Sequence, residues 1–137
     1  MATSSSKNVK SLCWHMPLNR STPTRLAKEA FGGSAAVMVA CGAHHTMVVT
    51  ADGRLWTFGR GNNGRLGHGD TEDKLIPTLV LELSVGEARI VIVAAGDNHS
   101  MAATADGDAY TWGDGEEGAL GHNDEDDKLV PTKLDQS

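Results

Sequence analysis

At 137 residues, with 39% apolar content and 16 glycines, the chain is long enough for one ordinary domain built with many tight turns. No apolar stretch approaches the roughly 18–20 residues needed to span a bilayer, and residues 1–11 lack the apolar core and cleavage pattern of a secretory signal, so no membrane partner is expected. The net charge of −6 is unevenly placed, five basic and one acidic side chain over residues 1–39 against seven and seventeen over 40–137, which leaves only the basic N-terminal tail suited to a phosphate backbone, and nucleic acid is not expected as a partner elsewhere.

Residues 1–20 are polar and aperiodic and are expected to form a disordered tail. From residue 21 a repeat takes over. Shifting the chain by 54 residues lays Val39–Thr78 on Val93–Thr132 without a gap, with 22 of 40 positions identical. The phase reaches back to Pro23-Thr24, so Pro-Thr pairs stand at 23, 77 and 131. The expected organisation is 21–38 as the end of a preceding repeat with a lead-in strand, 39–92 as repeat 1, and 93–137 as a truncated repeat 2. A fixed period of this size marks units that cannot bury their apolar faces alone.

Within each period the first strand is read from Val37–Cys41 and Arg89–Ala94, β-branched runs suited to burial on both faces. The second is read at His45–Thr50 and His99–Thr104, the third at Leu55–Phe58 and Ala109–Trp112. Asp52-Gly53 and Asp106-Gly107 join second to third as hairpins, predicted as type I′ turns. A fourth strand is predicted over Thr78–Leu83, with Leu134 opening its incomplete counterpart. Four short strands per period, with no helix longer than a turn at Lys28–Phe31, predict an all-β fold: two four-stranded blades of a β-propeller, with Leu55, Trp56, Phe58, Tyr110 and Trp112 packed between blades.

Motifs that suggest chemistry dissolve into the repeat. Gly59-Arg60-Gly61-Asn62-Asn63-Gly64 and Gly113-Asp114-Gly115-Glu116-Glu117-Gly118 both spell a dinucleotide fingerprint. That fingerprint needs a helix to begin there, and Arg65-Leu66-Gly67-His68 and Ala119-Leu120-Gly121-His122 are too glycine-rich to start one. The histidine pairs His45/His99 and His68/His122 recur in phase and are read as structural hydrogen-bonding groups, while the adjacent His44 and His45 point to opposite strand faces. No tetrahedral metal set and no nucleophile with His and acid partners is found, so no metal, cofactor or catalytic residue is expected. Asp124-Glu125-Asp126-Asp127 is read as a solvated acidic loop, with contact to a basic partner as the sharper alternative. Cys13 and Cys41 fall in unrelated phases and are expected to be reduced thiols of a cytoplasmic or nuclear protein, with a bridge or a metal site as the alternative.

The unit Cys41-Gly42-Ala43-His44-His45 … Asp52-Gly53-Arg54-Leu55-Trp56-Thr57-Phe58-Gly59 … Gly64-Arg65-Leu66-Gly67-His68 … Pro77 closely resembles the regulator-of-chromosome-condensation repeat. So does Ala95-Gly96-Asp97-Asn98-His99 … Asp106-Gly107 … Trp112-Gly113 … Gly118-Ala119-Leu120-Gly121 … Pro131. The chain departs from the family's habit at Arg65 and Ala119, where Gln is common before Leu-Gly, and at Gly61 and Gly115, where Asn is common. The resemblance implies a propeller that is seven-bladed when complete, so this chain reads as a fragment of a longer one, needing self-association or additional repeats to close. It also implies a non-enzymatic protein-interaction or scaffold module, with guanine-nucleotide exchange on a small Ran-like GTPase as the alternative. Partner contacts are expected in the loops carrying Arg60, Asn62, Asn63, Arg65, Asp114, Glu116 and Glu117.

Overall fold

The computed structural model describes residues 24–83 and 88–135; the expected disordered tail, 1–20, lies outside the described residues. Strands β1 (Ala36–Cys41), β2 (His45–Thr50), β3 (Leu55–Gly59) and β4 (Lys74–Leu79) pair antiparallel in chain order, and β5 (Ile90–Ala95), β6 (His99–Thr104), β7 (Ala109–Gly113) and β8 (Lys128–Lys133) repeat the arrangement in a second sheet. These are the two propeller blades that the sequence predicts.

The β2–β3 hairpin forms where Asp52-Gly53 places it, but not as a type I′ turn. Gly53 N donates to Thr50 O at 2.8 Å and Gly53 alone takes a positive φ, of 81°. Ala51 and Asp52 can then keep the ordinary φ range that a side chain prefers, and glycine absorbs the left-handed step. Thr50 Oγ1 donates to Asp52 Oδ1 at 2.5 Å and fastens the turn.

The fourth strand needs a correction. It runs over Lys74–Leu79 and includes Pro77, rather than starting after it, and the second blade's counterpart is a full six-residue strand ending at Lys133, before Leu134. Proline is tolerated because β4 and β8 are edge strands, paired on one side only. The ladder slips between Thr57↔Thr78 and Gly59↔Lys74, and at the same phase in blade 2, so the proline segment sits in an irregularity.

The main core lies between the blades. Met47, Val49, Leu55, Val80 and Leu83 from blade 1 meet Ile90, Val93, Ala102 and Trp112 from blade 2. A second cluster, Phe31, Ala36, Val48 and Phe58, closes the other face of blade 1 with its own upstream segment, where Trp56 meets Phe31 edge-on at 5.9 Å. Leu55, Trp112 and Tyr110 therefore pack between blades as expected, while Phe58 and Trp56 pack against Phe31 instead. Strands β1 and β5 are not buried on both faces: Val37 and Ile92 are 59% and 58% exposed. Cys41 is disulfide-bonded, against the expected free thiol; Cys13 lies outside the described residues.

Candidate functional site

In an up-and-down sheet, the β1–β2 and β3–β4 loops leave from the same end. Backbone bonds tie them together: Arg60 N donates to His44 O at 2.8 Å, and Asp114 N to Asn98 O at 2.9 Å. One rim therefore carries all seven loop residues expected to meet a partner. Arg60, Asn62, Glu116 and Glu117 are exposed, and Asn63 and Asp114 half-buried. Asp114, Glu116 and Glu117 gather with Asp97, Asn98, His99 and Ala119 around an open hollow of about 370 Å³.

Arg65 is placed differently. It is 3% exposed, and its guanidinium donates to Asn62 O, Asn63 Oδ1 and, across the joint, Asp97 O at 3.2 Å. Burial lowers its pKa first, and Arg60 adds to this; Asp114, Asp73 and Asp97 oppose it. Its carbonyl oxygen accepts from Ser100 Oγ at 2.8 Å and from Trp112 Nε1 at 2.9 Å. Since the Ser100 proton goes to that carbonyl, the 2.8 Å contact between His45 Nε2 and Ser100 Oγ is donated by the imidazole. His45, Ser100, Trp112 and Arg65 thus form one buried polar joint between blades. The in-phase His99 faces the open side of blade 2 and is half-buried.

The second histidine pair does the same job twice within blades. Thr57 Oγ1 donates to Leu66 O at 2.7 Å and accepts from His68 Nε2 at 2.8 Å; Thr111, Leu120 and His122 repeat both distances. Burial, then Lys74, lowers the His68 pKa, with Asp70 opposing.

The acidic run is exposed at all four residues, as expected, yet two of its carboxylates are hydrogen-bonded. Asp127 Oδ1 accepts from Gly115 N at 3.0 Å, as Asp73 does from Gly61 N, and its Oδ2 accepts from Asn63 Nδ2 across the joint at 3.0 Å. These two hydrogen bonds hold its pKa below the usual carboxylate range. Asp124 accepts from Lys128 Nζ and Asp126 N, which lowers its pKa likewise. Sequence reading missed these roles, although the recurrence of Asp73 at Asp127 was visible. The glycine loops open single turns of three residues, Asn62–Gly64 and Glu116–Gly118, not the helix a dinucleotide needs. Among the described residues no group of three His, Cys, Asp or Glu side chains converges as a metal site.

Models of the regulator of chromosome condensation (RCC1) repeat match residues 52–103 and 106–137, and a second such model matches 37–65 and 90–119. The chain belongs to the RCC1 repeat family. Across 111 residues it is 43% identical to the ultraviolet-B receptor UVR8 of Arabidopsis thaliana, covering 81% of this chain and 25% of that protein. Across 112 residues it is 40% identical to the human E3 ubiquitin-protein ligase HERC2, covering 79% of this chain and 2% of that one. The chain thus spans a quarter or less of these RCC1 relatives. Among solved structures it superposes on Prp20p of Saccharomyces cerevisiae with a TM-score of 0.73 and 30% identity, over 85% of this chain and 29% of that one. That structure is described together with Prp20p's binding to Gsp1p and histones. Human WBSCR16 shares the fold, with a TM-score of 0.76 over 92% of this chain at 20% identity.

Proposed function

We propose that this RCC1 chain is a non-enzymatic protein-interaction and scaffold module, a segment of a longer propeller, that meets its partner at the rim carrying Arg60, Asn62, Asn63, Asp114, Glu116 and Glu117. The observation that carries this reading is the gathering of both repeat loops at one rim, with Arg60 and Asn62 exposed on blade 1 and Glu116 exposed beside Asp114 on blade 2. Clustered charge of this kind raises encounter rates and selects a partner of complementary sign. Arg65 is held inside the joint and takes no part in that surface. The proposed repeat boundaries remain 39–92 and 93–137, the proposed compartment cytoplasm or nucleus. Thiol chemistry does not support that compartment, since Cys41 is disulfide-bonded.

The test places a photo-crosslinking residue singly at Arg60, Asn62, Glu116 and, on the opposite rim, Arg54 and Asp106 in cells making the full chain. Discrete protein adducts from the first three positions and none from the last two are expected. Equal adducts from both rims would refute a rim site. A second reading, nucleotide exchange on a Ran-like GTPase, is favoured by the likeness to Prp20p. Accelerated release of fluorescent GDP from such a GTPase by the purified chain would establish it, and release at the intrinsic rate would exclude it for this segment.

A further inference from the structure

Blade 1 turns toward blade 2 a face that includes Met47, Leu55, Gly64, Arg65 and Gly67; blade 2 repeats it in phase as Met101, Ala109, Gly118, Ala119 and Gly121. On blade 1 the face is closely covered. A Cβ on Gly64 would strike the Leu129 side chain and lie 2.6 Å from Leu129 Cα, one on Gly67 would lie 2.9 Å from Trp112 Nε1, and Met47 is fully buried. On blade 2 a Cβ on Gly118 meets nothing within 4 Å and Met101 is 41% exposed, while one on Gly121 would lie 3.2 Å from the tip of the Leu134 side chain, so the face is open around Gly118 and Met101. Yet Gly118 and Gly121 keep φ of 69° and 77°, beside 76° and 83° at Gly64 and Gly67. The backbone holds the shape of the joint, and the Ala119 carbonyl stands in phase with the Arg65 carbonyl that receives an indole N–H and a serine hydroxyl.

Two polar positions separate the faces, Arg65 against Ala119 and Asn63 against Glu117, and the second of them meets a side chain of the following blade. Asn63 and Glu117 both adopt left-handed backbone, at φ 63° and 57°. Asparagine tolerates that region better than glutamate does. Asn63 uses its amide to donate to Asp127 of the following blade. A glutamate carboxylate can only accept. An aspartate offered in the place of Asp127 would set two carboxylates together, whereas a lysine or arginine would complete a charge-assisted pair.

We infer that the open face of blade 2 is a socket for a further RCC1-type blade, one carrying a cation in phase with Asp127, and that it rejects a second copy of this chain. A second copy would present Asp73 in that place and Phe58, which has no N–H, in place of Trp112. Its matching face is also closed already by Phe31, which packs with Val48 and Phe58. This inference rests on the observed joint; it assigns Glu117 to the next blade in place of the rim partner, and the thermal midpoints below test it apart from the crosslinking at Arg60, Asn62 and Glu116.

The full chain is extended at its C-terminus by a second copy of residues 84–137, which continues the 54-residue period. Four proteins are compared: the original Glu117 kept or changed by Glu117→Asn, each with the appended Asp127 kept or changed by Asp127→Lys. With Glu117 kept, the appended Asp127→Lys change raises the thermal midpoint by about 2–4 °C, the shift expected for a polar contact in a protein of this size. With Glu117→Asn the preference reverses toward the kept aspartate. An additive result, a preference for aspartate beside Glu117, or an appended blade that trypsin digests like unfolded chain in all four proteins would overturn the inference. So would concentration-dependent dimerisation of the unextended chain that Met101→Asp abolishes, which would put a second copy in the socket.

Discussion

The indole N–H of Trp112 donates to the carbonyl oxygen of Arg65 at 2.9 Å, joining the third strand of blade 2 to the loop that follows the third strand of blade 1. Trp112 has no exposed surface, and the carbonyl it serves also takes the Ser100 hydroxyl. Two donors on one buried oxygen make the joint directional as well as apolar. Leucines alone would let the blades slide, whereas a shared carbonyl fixes their register.

Removing the two donors has unequal consequences. Trp112→Phe keeps most of the apolar volume and leaves the carbonyl served by Ser100, so a loss of about 1 kcal/mol is expected. Ser100→Ala also strips the hydroxyl acceptor from His45 Nε2, in a side chain with no exposed surface, and should cost about 2–3 kcal/mol. Ser100→Thr, the residue type at the in-phase Thr46, should recover most of it. Urea unfolding of the three variants measures the order; equal losses for Trp112→Phe and Ser100→Ala would contradict it.

Arg65→Ala should cost about 2 kcal/mol, since three hydrogen bonds from a charged donor are lost in a buried site. The acceptors are two backbone carbonyls and an amide oxygen, not carboxylates, so the loss should be nearly the same at low and high salt. Arg65→Lys should recover less than half, because a point charge cannot serve a forked set of acceptors. Denaturation midpoints of both variants across a salt series supply the check.

Much of this was legible in the sequence because the signals are local. Asp52-Gly53 marks its hairpin, and the in-phase strands follow from short apolar runs between turn residues. The fourth strand was misplaced because Pro77 reads as a breaker in a window that does not reveal an edge. Arg65 reads as an exposed loop residue because its decisive acceptor, Asp97 O, lies 32 residues away in the next blade. Asp127 was hidden for the same reason: its amide donor Asn63 belongs to the preceding repeat. A local pattern shows which groups can hydrogen-bond, but not which of them a neighbouring blade will reach.

Acid should weaken the fold in two stages. The His68 pKa is lowered from 6.5 in the folded chain, by burial first and Lys74 second, so the unfolded state binds the proton more readily. Stability present above pH 6.5 then falls as pH drops through the folded value. Asp127 and Asp124, lowered from 3.8 by their hydrogen bonds, add a second loss below that pH. His68→Gln should flatten the first stage and leave the second. Urea midpoints between pH 8 and pH 3 report both stages, and an unchanged upper stage in His68→Gln would remove His68 as its source.

The same substitution in the two repeats separates backbone strain from blade contact. Gly64 and Gly118 have φ of 76° and 69°, so an alanine at either pays the left-handed penalty of about 1–2 kcal/mol. At Gly118 little else is added, because nothing lies within 4 Å of the new methyl group. At Gly64 the methyl group meets Leu129 at its side chain and, at 2.6 Å, its Cα, and backbone cannot swing aside as a side-chain tip can. Gly64→Ala must therefore push the fourth strand of blade 2 off blade 1 and weaken the shared core around Trp112. It should cost at least about 2 kcal/mol more than Gly118→Ala. Unfolding curves followed by tryptophan fluorescence would show the difference. Equal midpoints for the two variants would mean that the blades do not meet at Gly64 in solution.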